Sequence, residues 1–170
     1  LGRVRVLALL SPSRKELPEY REYTEACLTE ARRVNDALGR EGWQPIELRL
    51  KDDYIGAIAA YGLYDVLFVN PVIDGMNLVA MEGPLLNRRR GVLVLSRNAG
   101  AYGRLGRYAL PVNPFDVDEM AEALEQAISM PVDERTRRSR GLSRLVLANP
   151  PARWVRGQLE DLERAKRRRR

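Results

Sequence analysis

Along this chain the spacing of apolar residues switches repeatedly between the period of a strand and that of a helix. "RVRVLALL" (3–10) predicts a buried strand, and the loop "SPSRKELP" follows it. From Pro18 to Arg40, Tyr23, Ala26, Cys27, Glu30, Ala31 and Val34 trace a helical period through charged sequence. A turn at Gly42-Trp43-Gln44-Pro45 leads to strand "IELRL" (46–50), then to a short helix from about Tyr54 to Leu63. "VLFVN" (66–70) predicts a strand stopped by Pro71, with a helix from about Met76 to Arg88 and a further strand "VLVLS" (92–96). After a Gly-rich loop, "YALPVNPFD" predicts a short extended segment. Asp116 with Glu119 makes a capping-box-like start for the helix "VDEMAEALEQAISM". Pro131 ends that helix, "DERTRRSRGL" begins another, and "NPPARWVRGQLEDLERAK" is a final amphipathic helix striped by Trp154, Val155, Leu159 and Leu162.

Strands alternating with helices predict an α/β fold, a mainly parallel sheet with helices on both faces. Right-handed crossovers place the C-terminal ends of the strands on one edge, where ligands of open α/β sheets bind. Strands near 3–10, 46–50, 66–70 and 92–95 are expected to share that sheet. The expected division is an α/β domain over 1–149, followed by a terminal helix and basic tail over 150–170.

Composition narrows the chemistry. A chain of 170 residues has the length of one domain. No apolar run approaches the ~20 residues of a membrane span. With no histidine and one cysteine, Cys27, neither a zinc site nor a His-dependent triad nor an internal disulfide is expected, and a reducing cytoplasm fits. The net charge of +6 comes from arginine clusters at 88–90, 135–140 and 164–170. The last of these reads as a solvated helix end that suits the macrodipole, not as a nucleic-acid footprint.

Candidate chemistry gathers in "DVLFVNPVIDGMNLVAMEGPLL" (65–86). A strand ends there, and the helix that follows offers free N–H groups and the positive end of its dipole, together an anion site. Gly75 would let backbone approach a ligand where a Cβ would collide. Asp74 can accept from sugar hydroxyls, Asn77 can cap the helix or bind, and Glu82 could hold a vicinal diol such as a ribose. The plain alternative is a helix capped by Asp74 or Asn77 with Glu82 in solvent, since Asp-Gly is common in turns.

"DGMNLVAMEG" resembles the nucleotide-sugar signature of the glycosyltransferase family containing trehalose-6-phosphate synthase, in which a strand is followed by Asp-Gly-Met-Asn-Leu-Val-Ala-Lys-Glu. The resemblance extends in order through "LLSPSRKELPEYREY", the Ser-x-x-Ala-Gly loop of "GVLVLSRNAGAYGRLG", "PVNPFDVDEMAEALEQAISMP" and "ARWVRGQLEDL". It implies the C-terminal, Rossmann-like donor domain of a GT-B enzyme that moves a sugar, with retention and without a metal or other cofactor. The donor is a nucleotide diphosphate sugar and the acceptor a sugar phosphate. Asp74 and Gly75 are then expected at the reacting end of the donor and are counted as catalytic. The amides of Met76, Asn77 and Leu78 are expected to meet sugar and diphosphate, Val79 to wall the nucleoside, and Glu82 to hold the ribose.

The resemblance also implies pieces not found in these 170 residues: a basic diphosphate clamp, a first βα unit, and an acceptor domain in the same protein. Residues 1–170 alone are therefore expected to be inactive. The terminal helix is expected to cross back and brace that acceptor domain, and a homo-oligomer is open. Departures from the family pattern stand at Met81, Gly83 and Arg97. They leave open a non-catalytic nucleotide-sugar-binding module, while "EGPLLN" (82–87) resembles relatives that act as pseudo-glycosyltransferases, coupling a nucleotide-activated cyclitol to an aminocyclitol phosphate. "RNAGAYGRLG" (97–106) has neither P-loop nor dinucleotide-binding spacing and reads first as a flexible connection, second as a loop beside the donor. Arg14 reads as a surface residue, and Trp43 and Trp154 as core or domain-packing residues.

Overall fold

The computed structural model describes residues 4–168. Its contacts divide the chain into two compact units, Leu1–Ala57 and Ile58–Arg170. In the first unit, β1 (Val6–Leu10) and β2 (Ile46–Leu50) run parallel in the register Val6↔Ile46, joined by the helix α1 (Pro18–Leu38). Pro18 suits the start of α1, where its missing N–H costs no hydrogen bond. Near the other end, the Asn35 carboxamide donates to the Ile46 carbonyl at 2.8 Å and accepts from the Ile46 N–H at 2.9 Å. One side chain thus ties the end of the helix to the first residue of the strand it feeds. Helix α2 (Tyr54–Leu63) runs across the division between the units.

The second unit is built on a parallel sheet in the order β3 (Val66–Val69), β4 (Val92–Ser96), β5 (Leu110–Val112). Every residue of β4 is buried, as expected for a central parallel strand covered on both faces. Its alternation sorts the core. Leu93 and Leu95 join Val69, Ala80, Ala99, Leu105 and Leu142 on the face covered by α3 (Leu78–Leu86) and α6 (Val132–Leu147). Val92 and Val94 join Leu110, Val112, Ala123, Ala127 and Met130 on the face covered by α5 (Val117–Ser129). The helix α4 (Tyr102–Leu105) is a single turn between β4 and β5. Last comes α7 (Pro151–Arg168), with Trp154, Val155, Leu159 and Leu162 all exposed, so within the described residues Trp154 is not a core residue.

The α/β class holds, but the strands do not form one sheet. Among the described residues β1 pairs with β2, and β3, β4 and β5 pair with one another. Apolar content and flanking turns mark where a strand lies, whereas pairing partners depend on long-range packing that local pattern does not carry. The division at Ala57 and Ile58 likewise falls inside a helix, where composition shows no linker.

Candidate functional site

Helix α3 begins two residues later than periodicity suggests, because Asn77 serves as its N-cap in the left-handed region, at φ 70°. Asparagine is the non-glycine residue that most readily takes this conformation. Its Oδ1 accepts from the Ala80 N–H at 2.9 Å, while its Nδ2 donates to Asp74 Oδ2 at 3.1 Å. Asp74 Oδ1 in turn accepts from the Met76 N–H at 2.9 Å. The carboxylate and the carboxamide therefore fold the turn 74–77 by themselves. Capping and binding are not competing roles here: a carboxylate oxygen bearing one such bond keeps lone pairs for further donors.

One expectation changes. The Met76 amide, expected to be free, donates to Asp74. Among the described residues no acceptor meets the N–H groups of Asn77, Leu78 and Val79. These three open the helix, at the positive end of its dipole. Around them Met76, Leu78 and Val79 are exposed apolar side chains, as are Val72 and Ile73 just before the turn. One turn into α3, Glu82 is partly buried and makes no hydrogen bond or ion pair among the described residues. Its carboxylate is thus unused by the fold. Ala80, between these positions, is completely buried and locks the helix to the core.

Gly75 is not where the chain itself demands a glycine. A Cβ there would meet no atom within 4 Å, and its φ lies outside the left-handed region. That demand falls on Gly100, whose added Cβ would press on the Gly75 carbonyl group and lie 3.1 Å from the Met76 nitrogen. The loop 96–101 is accordingly a seat for the turn and not a flexible connection. Asp74 bridges to Ala99 in parallel, the Gly100 N–H donates to the Asp74 carbonyl at 2.8 Å, and the Asp74 N–H donates to the Asn98 carbonyl at 3.3 Å. Ala99 and Ala101 are buried in the core beneath it. Sequence reasoning placed this loop beside the donor only by resemblance, and did not single out Asn98 or Gly100. The signal was the small-residue run Ala99-Gly100-Ala101, whose sizes permit close backbone approach.

The departures have local explanations. Met81 packs against the core, and Gly83 is buried where a Cβ would run into Leu67, with Tyr64 beside it. Burial also pushes the Tyr64 phenol well above its ordinary value. Arg97 forms a two-pronged ion pair with Glu119 at 2.9 and 2.6 Å, and Glu119 Oε2 also accepts from the Asn113 N–H at 2.7 Å. The hydrogen bond from Arg97, helped by that from Asn113, holds the Glu119 carboxyl below the usual carboxylate range. Only half of the expected capping box forms: Asp116 accepts from the Glu119 N–H at 2.9 Å, while the Glu119 side chain reaches Asn113 and Arg97. In the first unit, exposed Arg14 donates to the Tyr20 hydroxyl. Among the described residues no helix is long and apolar enough to cross a membrane, and no three His, Cys, Asp or Glu side chains gather as metal ligands.

Known proteins resemble this chain in sequence and in overall fold. The trehalose-6-phosphate synthase of Sinorhizobium fredii is 40% identical over 166 residues, covering 95% of this chain and 35% of that protein. Two solved structures match closely. The trehalose-phosphate synthase of Burkholderia xenovorans in complex with glucose-6-phosphate gives a TM-score of 0.90 at 35% identity, over 95% of this chain and 36% of that one. An Escherichia coli protein bound with UDP-2-fluoro glucose gives 0.89 at 34% identity, over 95% and 36%. The chain thus spans about a third of the length of these relatives. The profile of glycosyltransferase family 20 matches residues 1–164, and the chain belongs to that family.

Proposed function

We propose that this chain is the donor-binding half of a retaining glycosyltransferase of the trehalose-6-phosphate synthase type. It would serve transfer of a glucosyl group from a nucleotide diphosphate glucose to a sugar phosphate. The observation that carries the reading is the turn 74–79: it is braced by its own carboxylate and carboxamide and presents three unpaired amides at a helix N-terminus. Such amides suit a diphosphate. In this reading the amides of Asn77, Leu78 and Val79 receive donor oxygens. Glu82, one turn further on, accepts from the ribose hydroxyls, and exposed Val79 walls the nucleoside. Asp74, with acceptor capacity left over, takes hydroxyls of the sugar, and the space beside the Gly75 backbone admits the sugar itself.

Retention without a protein nucleophile lets the departing diphosphate serve as base toward the acceptor hydroxyl, so the protein orients the partners and stabilises charge. No metal or other resident cofactor enters this scheme. The sugar phosphate belongs to a second domain, which the exposed apolar stripe of α7 would help brace. A lone cysteine and these substrates suit a cytoplasmic setting.

The test is to incubate the intact protein bearing these residues with UDP-glucose and glucose-6-phosphate and to weigh the products. A phosphorylated disaccharide released together with UDP is expected. Saturable nucleotide-sugar binding without any product would instead mark a binding module. Turnover confined to a nucleotide-activated cyclitol and an aminocyclitol phosphate would mark a pseudo-glycosyltransferase.

A further inference from the structure

Asn98 occupies the second unspecified position of the Ser-x-x-Ala-Gly loop, Ser96-Arg97-Asn98-Ala99-Gly100. Its Nδ2 donates to the Val72 carbonyl at 2.8 Å. Its own carbonyl accepts from the Asp74 N–H at 3.3 Å, and its N–H donates at 3.1 Å to the hydroxyl of Ser96, which is completely buried at the end of β4. Val72 and Ile73 are 54% and 84% exposed, so apolar packing holds them weakly. Among the described residues the bond from Asn98 is the one hydrogen bond made by either. The segment entering the donor turn therefore hangs on a single side chain rooted in the most buried strand of the unit.

We propose that Asn98 is a positioning residue for the donor turn, holding Val72 through its carboxamide and Asp74 through its carbonyl and so setting how residues 74–79 meet a nucleotide sugar. The inference rests on the donor-binding reading above. Asn98 itself need not touch the ligand. A clamp of this kind lowers the ordering needed on binding, which shows as affinity without any new contact.

The test compares wild type, Asn98→Ala, Asn98→Asp and Asn98→Gln in the intact protein. The first readout needs no ligand. Amide hydrogen exchange at Asp74 and Met76, whose N–H groups are bonded in the turn, should quicken in Asn98→Ala, while α3 beyond Ala80 and β4 stay protected. The second is the Kd for UDP-glucose. Asn98→Ala should weaken it about 2- to 10-fold, the span expected from losing one neutral hydrogen bond. Asn98→Asp, which keeps the shape but loses the donor, should do no better than alanine, and Asn98→Gln should recover part of the loss. The KM for the sugar phosphate should not move. A uniform fall in Tm with wild-type exchange at Asp74 and Met76 and unchanged Kd would reduce Asn98 to a structural residue and overturn the proposal. If wild type binds UDP-glucose and Asn98→Ala binds it equally, this inference alone fails. If wild type binds no nucleotide sugar, the donor-binding reading falls and takes this inference with it.

Discussion

Gly100→Ala isolates what the seat of the turn 74–79 contributes. The new Cβ would lie 2.6 Å from the Gly75 carbonyl carbon and closer still to its oxygen. Carbon atoms rest about 3.5–4.0 Å apart, so roughly 1 Å of separation must be made. Neither neighbour is a pliable side chain end. The Gly100 N–H bonds Asp74 at 2.8 Å, and the buried Ala99 and Ala101 flank it, so the turn 74–76 is what must yield. Overpacking of this kind costs about 1–3 kcal/mol of stability. A displacement near 1 Å beside the reacting atoms can lower kcat/KM by about a hundredfold. Gly75→Ala supplies the contrast. Its Cβ meets nothing within 4 Å, so stability should stay within about 0.5 kcal/mol of wild type while the methyl projects into the space assigned to the sugar. On the intact protein, denaturant titration reads stability, transfer kinetics read kcat/KM and UDP-glucose calorimetry reads affinity. Wild-type stability and affinity in Gly100→Ala would refute the seat. A Gly75→Ala protein that is unstable yet binds normally would invert the argument.

Leu95→Ala, at a completely buried position of β4, should lose about 2–5 kcal/mol by denaturant titration, with the second unit's cooperativity reduced. Hydrogen bonds from Arg137 and Arg138 pull the Glu134 carboxyl down to about 2. A depressed carboxylate stabilises the fold above its unfolded value of about 4.3 and loses that contribution as pH falls toward about 2. The difference in Tm between wild type and Glu134→Gln should therefore be full at pH 7 and close across that window. A constant difference would show that the ion pairs do not matter. Truncation before Pro150 in the intact protein should lower transfer while leaving UDP-glucose affinity nearly unchanged, because α7 is exposed and lies apart from the donor turn in sequence. Loss of nucleotide binding on truncation would place α7 in the core of the donor domain.

Elements with strong local signals were legible in the sequence. Strand β4 reads from its uninterrupted apolar run, α5 from Asp116 and the stripe that buries Ala123 and Ala127, and α2 from its helical spacing. The turn 74–77 was legible as a candidate site because it joins a strand end to a helix start, but Asp74 and Asn77 also fold it, and only Glu82 is left unused by the fold among the described residues. Features that depend on two distant segments were not. Nothing near Asn98 shows that it reaches back across 26 residues to Val72, and nothing near Gly100 shows that the Gly75 carbonyl lies against it. The capture of the Met76 amide by Asp74 required the turn's actual dihedral angles. The pairing of β1 with β2, separate from β3, β4 and β5, is likewise a property of the whole chain.

The central claim is that the turn 74–79 and Glu82 hold a nucleotide diphosphate sugar. Calorimetric titration of UDP-glucose into the intact protein, wild type against Glu82→Ala, tests it most directly. Glu82 is free of partners among the described residues, so its removal should leave the fold intact and act on the ligand alone. Saturable binding at one site per chain is predicted for wild type. Losing hydrogen bonds to a charged acceptor costs about 1.5–3 kcal/mol, so Kd should rise about 10- to 150-fold in the variant. Equal affinity in the two proteins, or no binding by wild type, would contradict the assignment of this turn as the donor site.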